Sequence, residues 1–250
     1  MISRRTFLQL AATSAPLWSA RRAWGFGERD HFTIAQVRFP GSPTRTAALN
    51  RLFWEIDKRT SIVVPAHACE IELADRELEQ YPFLYLAGDH PPPPFRESDL
   101  NRLRRHLQAG GFLFIDSIES RPGGPFDRWV RQFVGHLLRE PLVKLPSDHV
   151  IYKSFYLLHQ PAGRRLTIPY LEGVEHDGRT AICYSQNDLA GAWARDAFGQ
   201  WAEEVVPGGE PQREQAFRLG VNLAMYATCL DYKTDQVHVP FILRRRRWQP

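Results

Sequence analysis

The sequence predicts a single α/β domain built on a mostly parallel sheet, and three observations carry that prediction. Strand-like and helix-like segments alternate along the chain. Two strand segments, Tyr81–Ala87 and Phe112–Asp116, are almost continuously apolar, as strands covered on both faces of a parallel sheet are. Between them lies an amphipathic helix, so strand, helix and strand fit within about 35 residues as one βαβ unit. With 43% hydrophobic residues, 24% charged residues and seven Trp, the 250-residue chain can build a sizeable core, and global disorder is excluded.

The elements follow in order. Phe32–Phe39 is the first strand, stopped by Pro40-Gly41. Ala48, Leu49, Leu52, Phe53 and Ile56 then recur at helical spacing on one face. Ser61–Val64 is a short β-branched run closed by Pro65, and Glu70–Leu73 is a second short extended segment. Pro82 stands at the start of its strand, where proline is tolerated best. Ser98 is placed to cap the next helix, Leu100, Leu103 and Leu107 form its stripe, and Gly110-Gly111 ends it. Arg102, Arg104 and Arg105 lie away from that stripe. Phe126, Trp129, Val130, Phe133, Val134 and Leu137 give a helix opened by Pro125. Asp177-Gly178 turns a hairpin whose second arm, Thr180–Tyr184, enters the sheet. Pro211 opens a long last helix in which Phe217, Gly220, Val221, Ala224 and Ala227 share a face. No internal repeat appears.

The ends of the chain differ from its body. Ser3-Arg4-Arg5-Thr6-Phe7-Leu8-Gln9 resembles the twin-arginine export signature, with an apolar run to Ala20 and small residues near Ala23-Trp24-Gly25. Residues 1–25 are therefore expected to be an export leader read through Arg4 and Arg5 by the twin-arginine translocase. Residues 26–235 then form one α/β domain, and 236–250 a basic tail with Arg244–Arg247. The formal charge of +4 equals the four arginines of the leader, which holds no acid; removing them leaves 28 basic against 28 acidic residues. The high pI is no argument for nucleic-acid binding, and none is expected. No run approaches a membrane span. Cys69, Cys183 and Cys229 form no CxxC and sit among apolar neighbours, which excludes a disulfide framework and reads as small core residues.

A family resemblance covers about residues 30–230. Arg59-Thr60-Ser61, Tyr81–Gly88, Leu103–Leu107 with Gly110–Leu113, and Asp116 carry its first half. Asp148-His149, Leu171–Val174 with Gly178-Arg179, Tyr184-Ser185 and Asn187-Asp188 carry its second. In order and spacing these resemble the bacterial family called domain of unknown function 4159. The resemblance implies a class I glutamine-amidotransferase-like fold, a flavodoxin-like three-layer sandwich, and it implies no particular reaction.

That fold limits the chemistry. A glutaminase needs Cys in a Gly-x-Cys-x-Gly elbow, and no Cys here has that frame. Ser117 lacks the corresponding serine frame, and no Gly-x-Gly-x-x-Gly or Gly-Lys-Ser/Thr loop supports a nucleotide cofactor. What remains is polar residues just past strand ends, where open α/β sheets bind ligands. Asp89 and His90 follow one strand, Asp116 ends the next, Asn187 and Asp188 follow a third, and His149 lies in a loop; these six are the candidate ligand-binding residues. Asp also favours caps and loop anchors, so a structural role competes at each. Carboxylates gathered in one crevice repel, so neutralising Asp188 is expected to stabilise the fold slightly if the crevice is a functional site, and to change stability little if Asp188 is a helix cap. The reading adopted is an exported envelope protein that binds a ligand or partner. The alternative is a hydrolase using Asp89, His90, Asp116 and Asp188, with Mg or Mn if carboxylates alone bind and Zn if imidazole joins. No catalytic residue or cofactor is assigned.

Overall fold

The computed structural model describes residues 32–228; the expected leader with Arg4 and Arg5, Cys229 and the expected tail at 236–250 lie outside the described residues. Seven strands form one sheet: β1 (Ile34–Arg38), β2 (Cys69–Glu72), β3 (Phe83–Gly88), β4 (Phe112–Ser117), β5 (Val143–Lys144), β6 (Glu172–His176) and β7 (Arg179–Ser185). Their order across the sheet is β2-β1-β3-β4-β7-β6-β5. The pairs from β2 through β7 are parallel, whereas β6 and β5 continue the sheet antiparallel. The two inner strands predicted as fully covered, β3 and β4, are buried at every position.

Among the described residues four α-helices complete the three layers: α1 (Thr46–Arg59), α2 (Glu97–Gln108), α3 (Pro125–Leu138) and α4 (Gly209–Thr228). One core joins Leu49, Leu52 and Phe53 of α1 and Phe217 and Tyr226 of α4 to Phe83, Tyr85, Phe112 and Phe114 of the sheet. The other joins Leu103 and Leu107 of α2 and Phe126, Val130 and Val134 of α3 to Leu84, Leu86, Leu113, Ile115 and Tyr184. Alternate residues of β3 and β4 thus feed opposite cores, which is why both strands are apolar throughout. The chain is a flavodoxin-like α/β sandwich.

Two local expectations are corrected. Ser61–Val64 joins no strand: β1 already has β2 on one side and β3 on the other, and the run bonds to the start of β1 through the Phe32 N–H to Val63 carbonyl bond of 2.9 Å. Ser98 does not cap α2, which starts one residue earlier with Arg96 at the cap position and no side-chain cap. Glu97 and Asp99 in its first turn supply the negative charge that a helix start favours.

Candidate functional site

The carboxyl ends of β4 and β7 bring together two of the predicted residues. Asp116, the last residue but one of β4, stands opposite Ser185 of β7, and Asp188 lies three residues beyond Ser185, in a left-handed conformation at φ 50°. That backbone state turns the chain sharply, so that the Asp188 side chain caps the following turn by accepting from the Gly191 N–H at 3.2 Å. Asp, with its short polar side chain, tolerates this conformation better than most residues. Gly191 is required there, because a Cβ would stand 2.4 Å from Asp188 Oδ2.

Both carboxylates are fully buried, and each of their oxygens accepts at least one hydrogen bond. Asp116 accepts from the Tyr85 hydroxyl at 2.9 Å and from the N–H groups of Leu189 and Ala190 at 2.8 and 2.9 Å. Asp188 accepts from Arg45 Nη2 at 3.2 Å and from Arg164 Nε on its other oxygen. Their electrostatics differ accordingly. Burial pushes the Asp116 carboxyl up to about 6, with the Asp188 charge acting in the same direction against the Ala190 and Leu189 N–H groups and Arg45. Burial and the neighbouring Asp116 raise the Tyr85 phenol well above its usual range. Asp188 thus caps the turn at Gly191 and pairs with two arginines. Its repulsion with Asp116 is real, but two guanidinium groups offset it, and removing its charge strands them.

Asn187 has a structural task. Its side-chain carbonyl accepts from the N–H groups of Thr167 and Ile168 at 2.9 and 3.0 Å, and its amide donates to the Ile168 and Pro161 carbonyls at 2.9 and 3.4 Å. It staples the 161–168 loop to the end of β7. Arg164 and Arg165 extend the staple through backbone bonds to the Asp188 and Asn187 carbonyls.

Asp89 and His90 stand apart from this pair. They are exposed and bonded to each other, and the His90 ring packs edge-on to Phe39 with centroids 6.5 Å apart. A Cβ on Gly41 would come 3.0 Å from His90 Nε2, so His90 covers the end of β1. This is the switch point of the sheet, where the chain leaves β1 for β2 on one side and β3 on the other. His149 is separated from the carboxyl edge altogether. Its Nε2 meets Thr180 Oγ1 at 3.0 Å, near the start of β7, while its Nδ1 accepts from the Ile151 N–H at 3.2 Å. Burial lowers its pKa to about 4. Among the described residues, no three His, Cys, Asp or Glu side chains are grouped to hold a metal ion. Of the two described cysteines, Cys183 is fully buried inside β7 and Cys69 is half-buried in β2, and burial raises both thiols. Neither is poised as a thiolate.

Sequence reasoning missed Arg45, Arg164 and Tyr85. Arg45 and Asp188 are 143 positions apart, and no local spacing signals such a pair. Tyr85 hides inside an apolar strand run. A groove of about 560 Å³ between α2 and α3, lined in part by Glu97, Arg104, His136 and His176, contains none of the six predicted residues.

Fold and site together define the class: a flavodoxin-like α/β protein whose carboxyl edge is locked by paired carboxylates and arginines. Residues 33–228 match the family described as Domain of unknown function (DUF4159), and the chain belongs to that family. Comparison with curated proteins gives no match.

Proposed function

We propose that this chain is an exported accessory protein of the cell envelope that binds a partner protein, on a glutamine-amidotransferase-like scaffold without the nucleophile. The observation that carries the reading is the occupancy of the carboxyl edge. Every oxygen of Asp116 and Asp188 already accepts a hydrogen bond from the chain itself. A general base must reach its substrate, and these two carboxylates are fully buried with each oxygen already bonded within the chain. They act instead as a brace that fixes the 161–168 and 187–206 segments.

The braced segments carry apolar side chains that the core does not use. Phe198 is 89% exposed, and Leu166 and Val206 are also exposed. Beside them Trp201 lies between Arg195 and Arg213, whose guanidinium carbons are 3.9 and 4.2 Å from its ring centroid. Exposed aromatics with arginine are the composition favoured at protein interfaces. The Ser3–Gln9 pattern supports export, and among the described residues no helix is long and apolar enough to cross a membrane.

Site-specific photo-crosslinking in intact cells tests the reading. A photoreactive residue in place of Phe198 is expected to give a discrete crosslinked species, and one in place of the solvent-facing Arg105 none. Absence of a species at position 198 removes this contact face. Turnover of an ester, amide or phosphodiester that is lost in Asp116→Asn installs the hydrolase instead.

A further inference from the structure

The groove of about 560 Å³ between α2 and α3 lies on the face of the sheet away from α1 and α4. Its volume falls within the range of small-molecule sites. A stripe of α2 beside the buried leucines forms one wall, with Asn101, Arg104 and Gln108. The end of α3, from Gly135 to Arg139, forms the other, together with His176 of β6. Two residues of that second wall run against local backbone preference. Gly135 stands inside the helix with its φ outside the left-handed region, and a Cβ there would meet no atom within 4 Å. Neither conformation nor packing calls for glycine at this place, and glycine weakens a helix interior. Arg139 is the reverse case. It takes the left-handed position after the helix at φ 59°, where glycine is the usual choice. The missing side chain at 135 keeps the groove open, and the turn at 139 brings a guanidinium to its wall. Departures from local preference that do nothing for the fold are expected at functional surfaces.

The polar groups of the groove are mostly donors. Asn101 Oδ1 accepts from Arg104 Nη1, and a guanidinium only donates, so the Asn101 amide nitrogen is the atom left over. Arg104 Nε is engaged on the Leu137 carbonyl at 2.7 Å, which ties α2 to the end of α3. Glu97, the acid of the groove, is 3.1 Å from His136 Nε2 and 3.7 Å from Arg104. The side chains of Gln108 and Arg139 have no hydrogen-bond or ion-pair partner among the described residues. Two amides and one guanidinium charge are therefore available to a ligand, a set that suits oxygens carrying negative charge.

We propose that this groove binds a small polar anion, with its carboxylate or phosphoryl oxygens on Arg139 and its remaining polar atoms on Asn101 and Gln108. The site is separate from the Phe198 contact face and does not depend on that face having a partner.

The test is NMR of the purified chain with labelled histidine, following the His136 and His176 ring signals at constant pH and ionic strength. The titrants are phosphate, acetate, glucuronate and, as the neutral control, glucose. At least one of the three anions is expected to shift these signals saturably, and glucose is not. Arg139→Gln should weaken that binding at least about tenfold. Gly135→Leu should abolish it by filling the groove, with a thermal midpoint no lower than wild type, because its Cβ enters open space and leucine favours a helix. Saturation by phosphate alone assigns a phosphoryl ligand, and saturation by acetate or glucuronate alone a carboxylate. No shift with any anion overturns the proposal, as do shifts that rise linearly with every anion. Saturable binding that persists undiminished in both variants overturns it as well.

Discussion

Asp116 is the residue where burial and hydrogen bonding pull hardest against each other. Its folded pKa of about 6 lies above its ordinary 3.8, so the folded state holds the proton more tightly than the unfolded chain does. The stability from this group is therefore fully present below about 3.8 and is lost as pH rises to about 6. Two buried histidines act in the opposite sense. His106, lowered to about 4 by burial and the nearby Arg179, and His149, lowered to about 4, add stability above their ordinary 6.5 that is lost as pH falls toward 4. Asp116→Asn is expected to lower stability at neutral pH by on the order of 1–3 kcal/mol, because an amide accepts through one oxygen only and three donors converge there. The gap between wild type and variant should narrow as pH rises from about 4 to 6, since only the wild type bears the growing charge. Urea unfolding of both proteins across that range checks this; a gap that widens with pH contradicts the assigned shift.

At the scale of elements, α2 was legible because its stripe and its Gly-Gly stop agree. Leu107 is fully buried and Arg105 is exposed, as the spacing requires. Leu107→Ala should cost about 2–5 kcal/mol as a core truncation, and Arg105→Ala no more than about 0.5 kcal/mol. Equal shifts in denaturation midpoint for the two would show the helix rotated from this placement. The strands β3 and β4, α1, α3, α4 and the Asp177-Gly178 hairpin were legible for the same reason, a hydrophobic period matching the element. The two-residue edge strand β5 was not, because both its residues are exposed and no alternation can appear. The role of Asn187 was invisible as well. A polar residue beyond a strand reads the same whether it meets a ligand or, as here, saturates its amide on a neighbouring loop. Asp116 and Asp188 could be placed at one edge from the strand order, but their arginine partners could not, since those pairings exist only once distant loops meet.

For the whole molecule, the proposed export address is expected to be separable from the fold. Residues 1–25 carry four arginines and no acid, and removing them leaves 28 basic against 28 acidic residues. Arg4→Lys with Arg5→Lys is expected to leave the chain in the cytoplasm with its unfolding midpoint unchanged, measured by fractionation and thermal melting. Undiminished periplasmic recovery of the double variant would remove the twin-arginine route. Within the domain, each face of the β4–β7 carboxyl edge has its own buried polar lock. On one face each oxygen of Asp116 and Asp188 is bonded within the chain, and on the other Arg131 pairs with both Asp127 and Glu172. The first fixes the loops beneath the proposed contact face.

A double-mutant cycle on Arg164 and Asp188 tests that brace most directly. Asp188→Asn alone should destabilise by on the order of 3 kcal/mol, because two largely buried guanidinium groups lose their counter-charge. With Arg164→Gln added, the combined loss should fall short of the sum of the single losses by about 1.5 kcal/mol or more, the signature of an energetic pair. Strictly additive losses, or an Asp188→Asn variant more stable than wild type, would mean that Asp188 is held as an unpaired, repelled carboxylate awaiting a ligand.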